Sequence, residues 1–84
     1  EFTIEIWNGS GVAGAAAKEE LRIKNLGIKV VGVDTAEEKI TGRELWVRKG
    51  FEEEVKKLLK KLKVSEITGV LLEGTVAARL VLGR

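Results

Sequence analysis

Eighty-four residues with a formal charge of only +2, no cysteine and no histidine narrow the chemistry open to this chain before any motif is read. The length suits one small hydrophobic core and leaves little room for a deep catalytic cleft. Without Cys or His there are no disulfides or thiolate metal sites, the commonest general base is missing, and so small a charge makes no case for nucleic acid.

The chain opens on an alternating segment in which Phe2, Ile4 and Ile6 take turns with Thr3, Glu5 and Trp7. Period two is the mark of a strand with one face buried and one looking outward. Trp7-Asn8-Gly9-Ser10-Gly11-Val12-Ala13-Gly14-Ala15-Ala16 then turns this strand into a helix that reads to Leu26. Gly9, Gly11 and Gly14 supply backbone freedom where the chain reverses, and Asn8 or Ser10 is expected to satisfy the N–H groups at the helix start. Val12, Ala15, Ala16, Ile23 and Leu26 gather on one side of the helix, with Glu19 in the middle of the stripe and Leu21 pointing away. Glu19 either snorkels past the small alanines, the commoner arrangement, or is a partly buried carboxylate with a partner such as Arg79. Gly27 suits the left-handed position that closes the helix.

Residues 28–34 are β-rich and predict the second strand; residues 35–42 are a polar connection without pattern. A third strand follows at 44–48, with Leu45 and Val47 inward and Glu44, Trp46 and Arg48 outward. Phe51, Val55, Leu58, Leu59 and Leu62 recur at helical spacing, with three glutamates in the first turn and Lys60, Lys61 and Lys63 near the end, as the helix dipole prefers. Residues 64–75 are ambiguous, and Val70-Leu71-Leu72 fits either a short strand or a buried loop. Residues 76–82 form a last strand, with Val76, Ala78, Leu80 and Leu82 on one face and Ala77, Arg79 and Val81 on the other. The predicted fold is α+β: a two-layer βαββαβ sandwich, its four-stranded mixed sheet carrying two helices on one face. Right-handed crossovers would set strands one and three side by side in the middle.

Gly9-Ser10-Gly11-Val12-Ala13-Gly14 is a literal G-x-G-x-x-G between strand and helix, and Asp34 stands at the end of the second strand, where a ribose-binding acid would sit. Two features oppose a dinucleotide site. The first strand alternates, whereas a strand of a doubly wound parallel sheet reads continuously apolar. The rest of the chain also supplies too few elements for a second nucleotide-binding half. A structural corner is the preferred assignment of Asn8, Gly9, Ser10, Gly11 and Gly14, with a nucleotide-binding or enzymatic domain using this turn and Asp34 as the alternative. A weaker anion-holding role survives, because N–H groups at a helix start can cradle a phosphate or carboxylate.

These same residues resemble a family. Ile4-Glu5-Ile6-Trp7-Asn8-Gly9-Ser10-Gly11-Val12-Ala13-Gly14-Ala15-Ala16 is similar to the opening of the LytR C-terminal domain, an alternating strand followed by Asn-Gly-Ser/Thr-Gly, Gly and Ala. The likeness continues through Leu26-Gly27-Ile28-Lys29-Val30-Val31 and ends at Leu80-Val81-Leu82-Gly83, so it spans nearly the whole chain. Two positions depart from it: Glu19 where an aliphatic residue is usual, and Arg84 where an Asp often follows the last Leu-Gly. The resemblance implies an extracytoplasmic accessory module of bacterial envelope proteins, often beside the wall-polymer transferase domain of LytR-CpsA-Psr proteins. It carries over no catalytic residue, so no enzyme activity, cofactor or metal is expected.

The residues themselves nominate one surface. Trp7, Trp46, Arg48 and Arg79 fall on the sheet face opposite the helices, a candidate binding face for a protein partner or self-association first, and for cell-wall glycan second. Nucleic acid is not expected, since residues 40–49 lack the Gly-aromatic-Gly core of an RNA-recognition motif. No apolar run approaches the ~20 residues that span a bilayer, so this segment itself should make no membrane contact. A start at Glu1 without Met suggests a single domain excised from a longer, membrane-anchored protein. The lack of Cys and Met beside abundant Lys, Glu, Val and Ile leans toward a heat-adapted source.

Overall fold

A computed structural model describes residues 2–84. The element order is β1 (Thr3–Asn8), α1 (Ala15–Asn25), β2 (Lys29–Thr35), β3 (Arg43–Arg48), α2 (Glu52–Lys56), α3 (Leu59–Leu62), β4 (Gly69–Leu71) and β5 (Ala78–Leu82). The fold is α+β, but its one mixed sheet has five strands, ordered β2-β1-β5-β3-β4, where four were expected. The extra strand is β4, from the ambiguous stretch before the last strand. The predicted second helix is also two short pieces, α2 and α3.

Strands one and three are not neighbours. β5 lies between them, parallel to β1 and antiparallel to β3. The physical reason stands in its sequence. Ala78, Leu80, Val81 and Leu82 are all buried, so β5 is covered on both faces, the condition of a central strand rather than an edge. On its two sides sit parallel strand–helix–strand units, β1–α1–β2 and β3–α2–α3–β4.

One row of the register makes the core. Ile6 pairs with Leu80 and Leu80 with Leu45, so three side chains line up across the middle of the sheet on the helix side. Ile4, Ala78 and Val47 form the next row. Ile23 of α1, Val55 of α2 and Leu62 of α3 close over these rows, each fully buried. The alternation read in β1 and β3 thus places one face of each strand in the core. The opposite face carries Glu5, Trp7, Glu44, Trp46 and Arg79 and, among the described residues, no helix.

Candidate functional site

The Asn-Gly-Ser-Gly corner holds itself. Asn8 Oδ1 accepts hydrogen bonds from the Ser10 amide and hydroxyl at 3.0 and 2.6 Å, Asn8 Nδ2 donates to the Val12 carbonyl at 2.9 Å, and Ser10 Oγ accepts from the Val12 amide at 3.1 Å. Neither side chain caps α1, contrary to the expectation from sequence. The cap position is Gly14 in the left-handed region, with no side-chain cap bond. Asn8 and Ser10 are used up inside the loop, which makes the turn rigid before the helix begins.

A second layer of backbone closes over this corner. The Gly9 amide donates to the Leu82 carbonyl at 2.8 Å, the Ile40 amide to Gly9 at 2.9 Å and the Gly42 amide to Arg84 at 2.9 Å. A Cβ on Gly9 would lie 2.9 Å from the Leu82 oxygen, and one on Gly83 would lie 1.9 Å from the Gly42 oxygen. Both glycines are therefore required by close backbone contact. Gly11 has φ +76°, and the Lys39 side chain crosses its open side. The connection between β2 and β3, featureless in sequence, packs over Gly9 and Gly11, while the helix start at Val12, Ala13, Gly14 and Ala15 lines an open cleft.

Asp34 is exposed, in register with Trp7, and its carboxylate accepts from the Thr35 amide at 2.8 Å. It shares a shallow cleft of about 300 Å³ with Asn8, Gly14, Ala16 and Val33. On the other side of the corner a cleft of about 390 Å³ is walled by Ser10, Lys18, Glu19, Arg43 and Arg84.

Glu19 is a buried carboxylate, but Arg79 is not its partner. It accepts from Arg43 at 2.8 Å and from both Nε and Nη2 of Arg22, which lies one turn along α1. Arg22 and Arg43 also donate to the Lys61 and Leu62 carbonyls at 2.7 and 2.9 Å. Burial by itself would raise the Glu19 pKa, yet the hydrogen bonds from Arg22 and then Arg43, with their charges, bring it down to about 2. Such a group is a poor proton acceptor. Its work is to tie α1 to the last turn of α3, whose free carbonyls the two guanidiniums cap. The departure noted at position 19 is thus a built ionic clamp. The sequence signals were an acid in an apolar stripe and Arg22 three residues further along the same helix, but nothing in the sequence pointed to Arg43 rather than Arg79.

On the open face, Arg79 is central. It is ion-paired to Glu5, which lies opposite it on β1, and its guanidinium sits 4.3 Å from the Trp7 ring centroid. Across β5 on the other side it faces Trp46 in the register. The Trp46 Nε1 donates to Glu44 at 3.2 Å, and its benzo ring fills the space a side chain at Gly69 would need, 2.7 Å from a Cβ built there. Both tryptophans are half-buried. They share the face but stand on different rungs, Trp46 opposite Arg79 and Trp7 opposite Val81, with β5 between them and their backbones roughly 12 Å apart. Arg48 is exposed at the rim. Beside Trp46 and Arg79 a hollow of about 310 Å³ is bounded by Val70, Leu72 and Glu73, and Leu72 is 90% exposed.

A helix-backed sheet with a braced corner and an open face carrying Trp7, Arg79 and Trp46 defines a small α+β module, and among the described residues no group of side chains has the make-up of a metal site. Residues 1–84, the whole chain, match the family described as LytR cell envelope-related transcriptional attenuator, and the chain belongs to that family. The family is an accessory one associated with the cell envelope and is not a known catalytic one. No curated protein and no solved structure matches the chain. Among the described residues no helix is long and apolar enough to cross a membrane.

Proposed function

We propose that this chain is a non-catalytic binding module on the outer side of the cell envelope, and that it meets a protein partner through the open face of its sheet, assisting wall-polymer attachment or envelope assembly. The observation that carries the proposal is the cluster in which Arg79 lies against the Trp7 ring and opposite Trp46, with Leu72 at its edge. Trp and Arg are the residues that most often anchor protein interfaces. Here the Glu5 carboxylate pairs with Arg79 Nε and Glu44 accepts from the Trp46 indole N–H, so a covering partner has to supply acceptors only for the remaining Arg79 N–H groups and the Trp7 indole. A fully exposed leucine beside it gives nothing to a sugar ring and suits burial against another protein.

Glycan is the second reading, supported by the two indoles, whose ring surfaces can stack on pyranose faces. The two separate by substitution. Leu72→Ser should weaken capture of an envelope protein and leave any binding of peptidoglycan or wall-polymer fragments unchanged, whereas Trp46→Ala should weaken whichever of the two is real. Retention of full partner binding by a Trp7→Ala, Trp46→Ala double variant that still melts cooperatively would remove the face from consideration.

A further inference from the structure

The two edges of the sheet are unlike. β4 is three residues long and leads into the loop before β5, whereas β2 is seven residues long. Among the described residues, no loop, helix or side chain hydrogen-bonds to residues 30–33 beyond the strand pairing with β1. Proteins usually blunt such an edge with charge, proline or a cover. Among the described residues this one has no proline and no cover; its charges, Lys29 and Asp34, stand near its two ends and a bulge at Val31 interrupts it, but apolar side chains lie exposed between them. Val31 is 49% and Val33 43% exposed, as is Leu26, at 38%, just before the strand. Ala17 of α1 borders the same cleft as Val33 and Thr35, and Leu21, one turn further along that flank, is 65% exposed.

The strand is also complementary to itself. The register against β1 places Lys29 and Asp34 on the open face beside Thr3 and Trp7, and Val30 and Val33 on the helix face beside Ile4 and Ile6. A bulge at Val31 lets both members of each pair share a face although they are an odd number of residues apart. Now set a second β2 antiparallel to the first, with the two-fold axis between Val31 and Gly32. Lys29 comes opposite the second copy's Asp34, and Val30 opposite its Val33, and each pair occurs twice. Opposite charge meets opposite charge on one face and valine meets valine on the other, which is what an isologous interface requires.

We infer that this module self-associates through the β2 edge, a second copy of the chain extending the sheet antiparallel across β2. The two-fold axis of such a pairing stands perpendicular to the sheet, so both open faces point the same way. The dimer presents two Trp–Arg–Trp clusters on one surface, which allows two contacts to one extended or repeating partner. This inference does not depend on what that partner is.

The test is sedimentation equilibrium of the chain from micromolar to millimolar concentration, with three variants. The expected result is a reversible dimer of twice the 9.2 kDa monomer mass. Lys29→Asp alone and Asp34→Lys alone should each weaken it roughly tenfold or more, because both cross-strand pairs become like-charged. The double variant, which restores opposite charges across the interface, should recover association to within a few-fold. All four proteins should melt cooperatively, since both positions are on the surface. A monomer up to millimolar concentration overturns the inference. So does a dimer indifferent to the single reversals, or one that the double variant fails to restore.

Discussion

The unit β1–α1–β2 and the unit β3–α2–α3–β4 are both strand–helix–strand segments with parallel strands, yet they are built to different standards. The first has an 11-residue helix and a seven-residue second strand; the second breaks its helix after five residues and ends on a three-residue strand. Apolar spacing does not explain this, since Phe51, Val55, Leu58, Leu59 and Leu62 keep helical periodicity throughout. The break lies at Leu58, whose amide bonds to Val55 at 2.8 Å, three residues back, instead of continuing the α pattern. A continuous helix here would stack Lys56 on Lys60 and Lys57 on Lys61, two like-charged pairs one turn apart. Local electrostatics opposes the helix that hydrophobic pattern alone would write.

If the second unit is the looser one, equal deletions in the two cores should cost unequal amounts. Ile23 and Leu62 are both fully buried, and truncation of either to Ala should cost about 2–5 kcal/mol. We expect Ile23→Ala near the top of that range and Leu62→Ala near the bottom, because two short helical pieces can settle into the cavity more readily than one long helix. Urea denaturation of the two variants measures the difference. Equal losses would mean that the break in the helix does not soften its unit.

The next largest effect concerns the clamp that joins the units. Glu19→Ala leaves Arg22 and Arg43 without their counter-charge and should cost roughly 2–3 kcal/mol, since both guanidiniums retain some access to water. The same clamp sets an acid limit. The folded pKa of Glu19, about 2, lies below its ordinary 4.5, so the unfolded chain takes up the proton first. The stabilisation is complete above about pH 5 and is lost as the pH falls toward 2. Urea midpoints of the wild type should therefore drop through that window more steeply than those of Glu19→Gln. Parallel curves would show that the carboxylate is not held ionised by the arginines.

The corner comes third. Gly9→Ala must push backbone away from backbone on both sides and should cost about 1–3 kcal/mol. Gly14→Ala has open space around it and pays only for its left-handed conformation, about 1–2 kcal/mol. A larger loss at Gly14 than at Gly9 would mean that the corner is limited by backbone strain rather than by its roof.

How much of this was legible in the sequence follows the same division between units. β1, α1 and β2 were readable because their signals are local: alternation in residues 2–7, a glycine corner, and Gly27 after the last helical turn. The partition of faces was equally plain, since Ile4, Ile6, Leu45 and Val47 lie in the core with Trp7 and Trp46 opposite. What stayed hidden was set by contacts distant in sequence. β5 lies between β1 and β3 because it is apolar on both faces, a signal visible in Val76-Ala77-Ala78-Arg79-Leu80-Val81-Leu82 but masked by the single Arg79. That arginine is paired with Glu5, far away in the chain, which also removed it as a partner for Glu19. Lys39 over Gly11 and the backbone contact of Gly83 with Gly42 come from a connection whose composition carries no pattern.

The smallest expected effect bears on why the second helix breaks at all. Lys57 is exposed and makes no ion pair among the described residues, so its replacement by Ala disturbs no partner seen in the structure. The change removes the Lys57–Lys61 repulsion and installs the best helix former. If like charge causes the break, Lys57→Ala should stabilise the protein by about 0.5 kcal/mol, and the amides of Lys57 and Leu58 should exchange more slowly with solvent. High salt should give the wild type part of the same gain and the variant less, because screening relieves only the pair that is still present. A variant no more stable than wild type, with unchanged exchange at Leu58, would place the cause in packing. The turn at Leu58 would then be the geometry that lets Val55 and Leu62 reach one core from two short helices, and the looseness of this unit would be a property of its fold rather than of its lysines.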